Sequence, residues 1–193
     1  MQDFDLYFNL GLTHILDWQG YDHILFVMVL CGVYGWQDWR KVLGLVTAFT
    51  IGHSLTLALS VFNLIPIPVT LIEFLIPVTI LITSLVNIIR KPQSTGGWFL
   101  TYMLTLLFGL IHGMGFSNYL KSLLGEDFLN QLLAFNVGLE AGQLLVVFFT
   151  LTVAFVVVNG LKASPRQWNL FLSSVIFGIA LTMAVGRFHA LFS

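Results

Sequence analysis

The chain has 193 residues, of which 58% are hydrophobic and only 9% are charged, and its formal net charge at pH 7 is −1. A soluble domain carries about 25% charged residues, so this composition excludes a soluble fold and indicates a protein whose solvent is lipid. The near-zero net charge gives no support for nucleic-acid binding. The single cysteine, Cys31, excludes an internal disulfide and a multi-cysteine metal site.

The first predicted element is an N-terminal helix that is too short to cross a bilayer. Phe4–Leu16 mixes apolar and polar residues at helical spacing, which is typical of an interfacial or re-entrant helix. The acidic start of the chain argues against a secretory signal or a myristoylation site. Asp17–Gly20 then predicts a break before the next helical segment.

Six apolar segments follow, of about the 20 residues that a membrane-spanning helix needs, with the first and the fourth shorter than the others. They predict an all-α membrane protein that forms a single domain over residues 1–193. The segments lie at about 20–36, 41–62, 68–89, 98–116, 131–158 and 168–191.

Basic residues are unevenly distributed between the predicted loops. Six of the eight lysines and arginines follow the first, third and fifth spans. These six are Arg40, Arg90, Arg166, Lys41, Lys91 and Lys162. Because cytoplasmic loops are enriched in basic residues, the pattern predicts that both termini of this multi-pass protein face away from the cytoplasm.

Ionisable side chains inside the apolar segments fall near one face of the predicted bundle. Each costs roughly 2.5–3.5 kcal/mol in a membrane helix, so such residues are normally kept for a site. Spans that alternate in direction place six of them at similar depth: Asp22, His23, His53, Glu73, His112 and Glu140. Imidazoles and carboxylates from different helices form the ligand set that suits a divalent transition metal.

Other polar residues are predicted to support these ligands or to line a pathway. Asn136, Glu140 and Gln143 are spaced so that they form one polar stripe on a helix. Arg187 is basic and lies in a predicted span, so it can neutralise one carboxylate but not all of them, and the remaining negative charge favours a bound cation. The supporting set is His14, Ser54, Asn87, Asn136, Gln143 and Arg187.

At these residues the chain resembles the HupE/UreJ family of bacterial metal permeases, and its Gly-His-Ser piece is similar to a signature of the wider nickel/cobalt transporters. The stretches that carry the resemblance are His14–Leu16, Gly20–Phe26, Phe49–Leu57, Ile72–Phe74, Phe108–Phe116 and Phe135–Gln143. The resemblance implies nickel or cobalt import in a bacterial inner membrane. It also implies a role for a histidine that precedes the Asp-His pair. Seven residues separate His14 from Asp22 here, where the family typically has five.

We therefore predict a six-helix permease that admits a divalent transition metal, with the metal ion and the bilayer as its partners. The alternative is a membrane-embedded metallohydrolase, in which the same residues would hold zinc and activate water. A haem or electron carrier using His53 and His112, and a purely structural membrane protein, are further alternatives. The sequence leaves open whether several copies associate.

Overall fold

A computed structural model describes residues 2–62, 68–89, 97–123, 125 and 127–191, which fold into helices joined by short non-helical segments. Within these ranges there are seven α-helices and no β-strand. The helices are α1 (Gln2–Leu16), α2 (Asp22–Cys31), α3 (Trp39–Val61), α4 (Val69–Ile89), α5 (Gly97–Leu123), α6 (Phe128–Phe155) and α7 (Pro165–Leu191). A 3₁₀ turn, Trp36–Asp38, precedes α3, and a π-helical turn, Val156–Gly160, ends α6.

Five segments of the described chain are long and apolar enough to cross a membrane, which makes this a multi-pass membrane protein. They are Trp36–Ser60, Val69–Ile89, Phe99–Ser117, Phe128–Gly160 and Pro165–Leu191. The first predicted span differs, because its helix, α2, has only ten residues. A helix of that length covers about 15 Å, which is half of the hydrocarbon core.

Helix α1 lies along α6 rather than apart from the bundle. A Cβ atom added at Gly138 would meet the carbonyl oxygen of Phe8, and one added at Gly142 would lie 2.9 Å from the Cβ of Ile15. The residue numbers of the contacts increase together along the two helices, so α1 and α6 run in the same direction. Glycine lets the two backbones approach closely, and small residues are the usual means of packing helices in lipid.

Helices α3 and α5 form a second parallel pair with the same kind of contact. A Cβ atom at Gly52 would lie 2.6 Å from the carbonyl oxygen of Leu106. On the facing helix, Gly109 lies against the backbone of Phe49. This close approach holds the midpoints of α3 and α5 together, and each helix carries a histidine beside the contact.

The remaining long helices, α4 and α7, run antiparallel, and α2 is attached to one end of that pair. At the end opposite the histidines, the Asn87 side chain donates to the Val29 carbonyl at 2.7 Å, and the Asn169 side chain donates to the Asn87 carbonyl at 3.0 Å. At the other end, Arg187 donates to the Glu73 carbonyl at 2.8 Å. Helix α2 therefore starts near the histidines and runs away from them, continuing the direction of α1.

Candidate metal centre

Four histidines and one aspartate from four helices meet inside the bundle. His14, His23 and His53 form one group of three, and Asp22, His23 and His112 form another. Within each group, one nitrogen or oxygen of every member lies within 4.8 Å of those of the other two. His23 belongs to both groups, so the five side chains make two overlapping ligand triplets.

The geometry around Asp22 and His23 is tight. The imidazole of His23 lies 3.8 Å from that of His112 and 4.5 Å from that of His14, measured between ring centroids. Asp22 Oδ1 lies 3.2 Å from His23 Nδ1 and 3.5 Å from His112 Nε2. The same oxygen accepts the backbone N–H of His23 at 2.9 Å, which orients the carboxylate.

Most ring nitrogens of the centre are buried and have no hydrogen-bond partner among the described residues. These are His14 Nε2, both nitrogens of His23 and of His53, and His112 Nδ1. His53 is fully buried, and His23 and His112 are 3% exposed. Buried polar atoms nearly always find a partner in native proteins, so a cluster of unpaired ones requires an explanation. Converging imidazole lone pairs are the donor set that binds transition metals, and these residues fit such an ion.

The centre lies at the break between α1 and α2. Helix α1 ends at Leu16 and α2 begins at Asp22, and the residues between them are not α-helical. The longer spacing from His14 to Asp22 is taken up in this segment, because it does not have to keep helical phase. Asp22 stands in the first turn of α2, where a carboxylate offsets the partial positive charge of the helix N-terminus.

Three phenylalanine rings form a layer that closes the centre on the side facing the other end of the bundle, where Asn87 and Asn169 lie. Phe26 follows Asp22 by one helical turn, and Phe49 and Phe108 each precede a histidine of the centre by one turn. The rings of Phe26 and Phe108 are stacked with centroids 3.5 Å apart, and Phe49 lies 5.5 Å from Phe108. All three rings are at most 1% exposed. This layer is an apolar barrier with no ligand atoms.

On its other side the centre approaches the surface through His14. The ring of His14 lies 3.9 Å from that of Phe116 and 5.8 Å from that of Phe135. An open cleft of about 580 Å³ is lined by Leu10, Thr13, His14, Leu16, Asp17, Trp18 and Phe116. Trp18 is 83% exposed. The cleft therefore connects the half-buried His14 with the surface of the protein.

Of the carboxylates predicted as ligands, only Asp22 stands in a triplet. The side chain of Glu73 is exposed, and its backbone carbonyl contacts Arg187. Glu140 Oε1 accepts a hydrogen bond from Thr47 at 2.8 Å. Thr47 precedes His53 by six residues on α3, which places it about 9 Å further along the helix axis, away from the centre.

The other residues predicted to support the site lie in different parts of the bundle and do not form one group. Ser54 donates to the Thr50 carbonyl of its own helix at 2.6 Å, and Gln143 Oε1 accepts from the Thr50 hydroxyl at 3.1 Å. Asn136 Oδ1 is buried without a hydrogen-bond partner in the described part of the chain. Asn87 bonds backbone groups at the opposite end of the bundle.

Arg187 Nη2 lies 3.9 Å from Asp22 Oδ2.

Two features of the centre were not evident from the sequence. His14 was predicted to support the ligands or the pathway, yet the structure places it inside a triplet. The phenylalanine layer had a usable signal, because Phe26, Phe49 and Phe108 each stand four residues from a site residue. In a chain with 18 phenylalanines that spacing does not stand out.

Comparison with known proteins gives one match. The family model described as "HupE / UreJ protein" matches residues 1–188, essentially the whole chain. No curated protein and no solved structure matches the chain. The family match confirms the resemblance that was identified from the histidine and glycine motifs.

Proposed function

Since the chain belongs to the HupE/UreJ family of transporters, whose general role is metal transport, we propose that it imports nickel or cobalt through the two ligand triplets. The observation that carries this proposal is the cluster of four imidazoles, from α1, α2, α3 and α5, in which six of the eight ring nitrogens are buried without a hydrogen-bond partner in the described chain. Imidazole suits nickel, cobalt and zinc alike, so the choice of metal depends on geometry and supply.

The overlap of the triplets suggests how an ion moves through the centre. It reaches His14 from the cleft and exchanges waters for the nitrogens of His14, His23 and His53. His23 then keeps hold of the ion while Asp22 and His112 replace the other two ligands. Sharing one ligand between successive positions avoids a fully dissociated ion inside the bundle, where an unpaired charge is costly.

The break between α1 and α2 fits this role. We propose that α1 and α2 together make the sixth membrane crossing, interrupted at the depth of the site. Discontinuous helices are common at the binding sites of transporters, because the interruption supplies ligands and polar backbone groups near the middle of the membrane. Beyond the centre, the layer of Phe26, Phe49 and Phe108 must part before the ion can leave toward the cytoplasm.

Uptake by variants tests the proposal. In cells that lack their own nickel importers, His53→Ala or Asp22→Asn abolishes nickel accumulation while the protein stays inserted, because a nitrogen ligand or the compensating charge is lost. Cys31→Ser is the matched control, since Cys31 is buried among apolar side chains. This variant retains most of the uptake activity. Normal uptake by folded His53→Ala, from limiting to saturating nickel, would reject the site.

Membership in a transporter family supports transport over the metallohydrolase alternative.

A further inference from the structure

Arg187 is positioned between two carboxylate-bearing residues at the edge of the metal centre. Its Nη2 lies 3.9 Å from Asp22 Oδ2, while its Nη1 donates to the backbone carbonyl of Glu73 at 2.8 Å. The side chain of Arg187 is 33% exposed and that of Asp22 only 9%. Arg187 therefore reaches from the surface to the buried carboxylate, and the hydrogen bond to α4 keeps it beside Glu73.

The two oxygens of Asp22 face different partners. Oδ1 points to the imidazoles of His23 and His112, and Oδ2 points to Arg187. Asp22 and Arg187 together carry no net charge. A divalent ion held by Oδ1 and neutral imidazoles adds two positive charges within a few ångströms of the guanidinium, and like charges at that distance repel strongly in a poorly hydrated site.

The side chain of Glu73 offers the guanidinium another partner. This side chain is exposed, and the backbone carbonyl of the same residue already accepts a hydrogen bond from Arg187. Rotation of the Arg187 side chain about this anchor exchanges the carboxylate of Asp22 for that of Glu73. Each carboxylate is then paired with one cation, the metal ion at Asp22 and the guanidinium at Glu73.

We propose that Arg187 is a tethered competing cation that selects divalent ions: it neutralises Asp22, yields it to an entering divalent metal, and then pairs with Glu73. This inference rests on the proposed function of the centre. A monovalent cation such as Na⁺ brings no more charge than the guanidinium it must displace, and it gains little from imidazole ligands. A divalent transition metal brings twice the charge and binds those imidazoles, so only it displaces Arg187.

Metal titration of the purified full-length protein tests the proposal, with NiCl₂ as the probe and calorimetry as the readout. Removing the competing charge in Arg187→Gln tightens Ni²⁺ binding by roughly tenfold or more, given the strength of charge interactions over a few ångströms. Arg187→Lys keeps the charge and stays close to the wild-type affinity. A merely structural arginine would not give tighter binding when it is removed.

Glu73→Gln provides the second arm, and as a single variant it does not depend on the fold of the Arg187 variants. It removes the alternative partner of the guanidinium, so Ni²⁺ binding weakens severalfold in the wild-type background. In the Arg187→Gln background the same change has no effect, because the two residues act through one exchange. Asp5→Asn, which removes an exposed carboxylate from α1, is the matched control and leaves the affinity unchanged.

Competition at constant ionic strength tests the selectivity. When Na⁺ replaces a large organic cation, it weakens Ni²⁺ binding to Arg187→Gln and not to the wild type. Unchanged Ni²⁺ affinity in Arg187→Gln, or in Glu73→Gln alone, would overturn this inference while leaving the proposed function intact. Failure of the wild-type chain to bind Ni²⁺ would overturn both together.

Discussion

His23 is the side chain that joins the two ligand triplets. His14 and His53 meet it on one side, and Asp22 and His112 meet it on the other. Its two ring nitrogens are buried and lack hydrogen-bond partners in the described structure, so either can face a metal ion. In the proposed function, metal binding therefore depends on His23 more than on any other residue, and the sequence distinguishes His23 from the other histidines by its neighbour Asp22.

This sharing predicts an order among the histidine variants. His23→Ala weakens Ni²⁺ binding more than His53→Ala or His112→Ala, because it removes a ligand from both triplets and each of the others affects only one. Loss of an outer partner of a metal ligand costs roughly 10–100-fold in affinity, so loss of a ligand itself costs at least about that much. Equilibrium titration of the purified variants measures the order.

His189→Gln is the control for that series, since His189 is exposed on α7 and belongs to neither triplet. Its affinity for Ni²⁺ should equal that of the wild type. Equal losses in all three site variants would show that the triplets bind one ion as a single unit and would contradict the shared-ligand arrangement.

At the scale of helices, two parallel pairs build the half of the bundle that holds the centre. Helix α1 packs on α6 and α3 packs on α5, each through glycines that let backbone atoms touch. Close backbone contact fixes the depth of one helix relative to the other. His14 on α1 and His53 on α3 consequently reach the same point from helices that do not follow one another in the chain.

Alanine substitutions on α3 test this packing. Gly52→Ala destabilises the protein, because the new methyl group would lie 2.6 Å from the Leu106 carbonyl oxygen, and overpacking of this kind costs about 1–3 kcal/mol. Gly44→Ala in the same helix meets nothing within 4 Å and changes stability by at most about 1 kcal/mol, in the favourable direction. Thermal unfolding in detergent compares the two, and an equal shift for both would contradict the close approach.

At the scale of the whole molecule, polar groups are divided between the two ends of the bundle. At one end lies the candidate metal centre, with its buried nitrogens that have no hydrogen-bond partner among the described residues. At the other end, Asn87, Asn169 and Arg166 bind backbone carbonyls, which ties α2, α4 and α7 together. Arg40, Lys41 and Lys162 also lie toward this second end, whereas Arg90 and Lys91 are outside the described residues. The charge asymmetry predicts that this end faces the cytoplasm.

Cysteine labelling in intact cells tests that orientation. In a Cys31→Ser background, an impermeant thiol reagent should modify a cysteine at position 122, near the end of α5, and should not modify one at position 94, which lies outside the described residues. The expected pattern places the candidate metal centre in the outer half of the membrane, where an ion that enters from outside reaches it first. The opposite pattern would move the centre to the cytoplasmic side and argue for export.

The sequence alone determined the class of the protein, and it singled out as candidate ligands four of the five residues that meet in the candidate metal centre. Hydropathy is a local property, so apolar segments and the ionisable residues within them are readable without a structure. The helical motifs around His23, His53 and His112 were sufficient to identify the family. The predicted N-terminal helix, Phe4–Leu16, agrees with α1 to within two residues. Its end was predictable because Asp17–Gly20 contains residues that favour turns.

Only the tertiary structure decided which of these residues meet. The sequence predicted Glu73, Glu140 and Asp22 as ligands on the same ground, that each is a carboxylate in an apolar segment. Whether such a side chain meets the histidines depends on the direction in which its helix turns it. That direction is set by packing between segments 90 or more residues apart, such as Thr47 against Glu140. The structure likewise placed α1 along α6 and brought His14 into the centre, because the glycine contacts that hold it there join segments more than about 120 residues apart in the sequence.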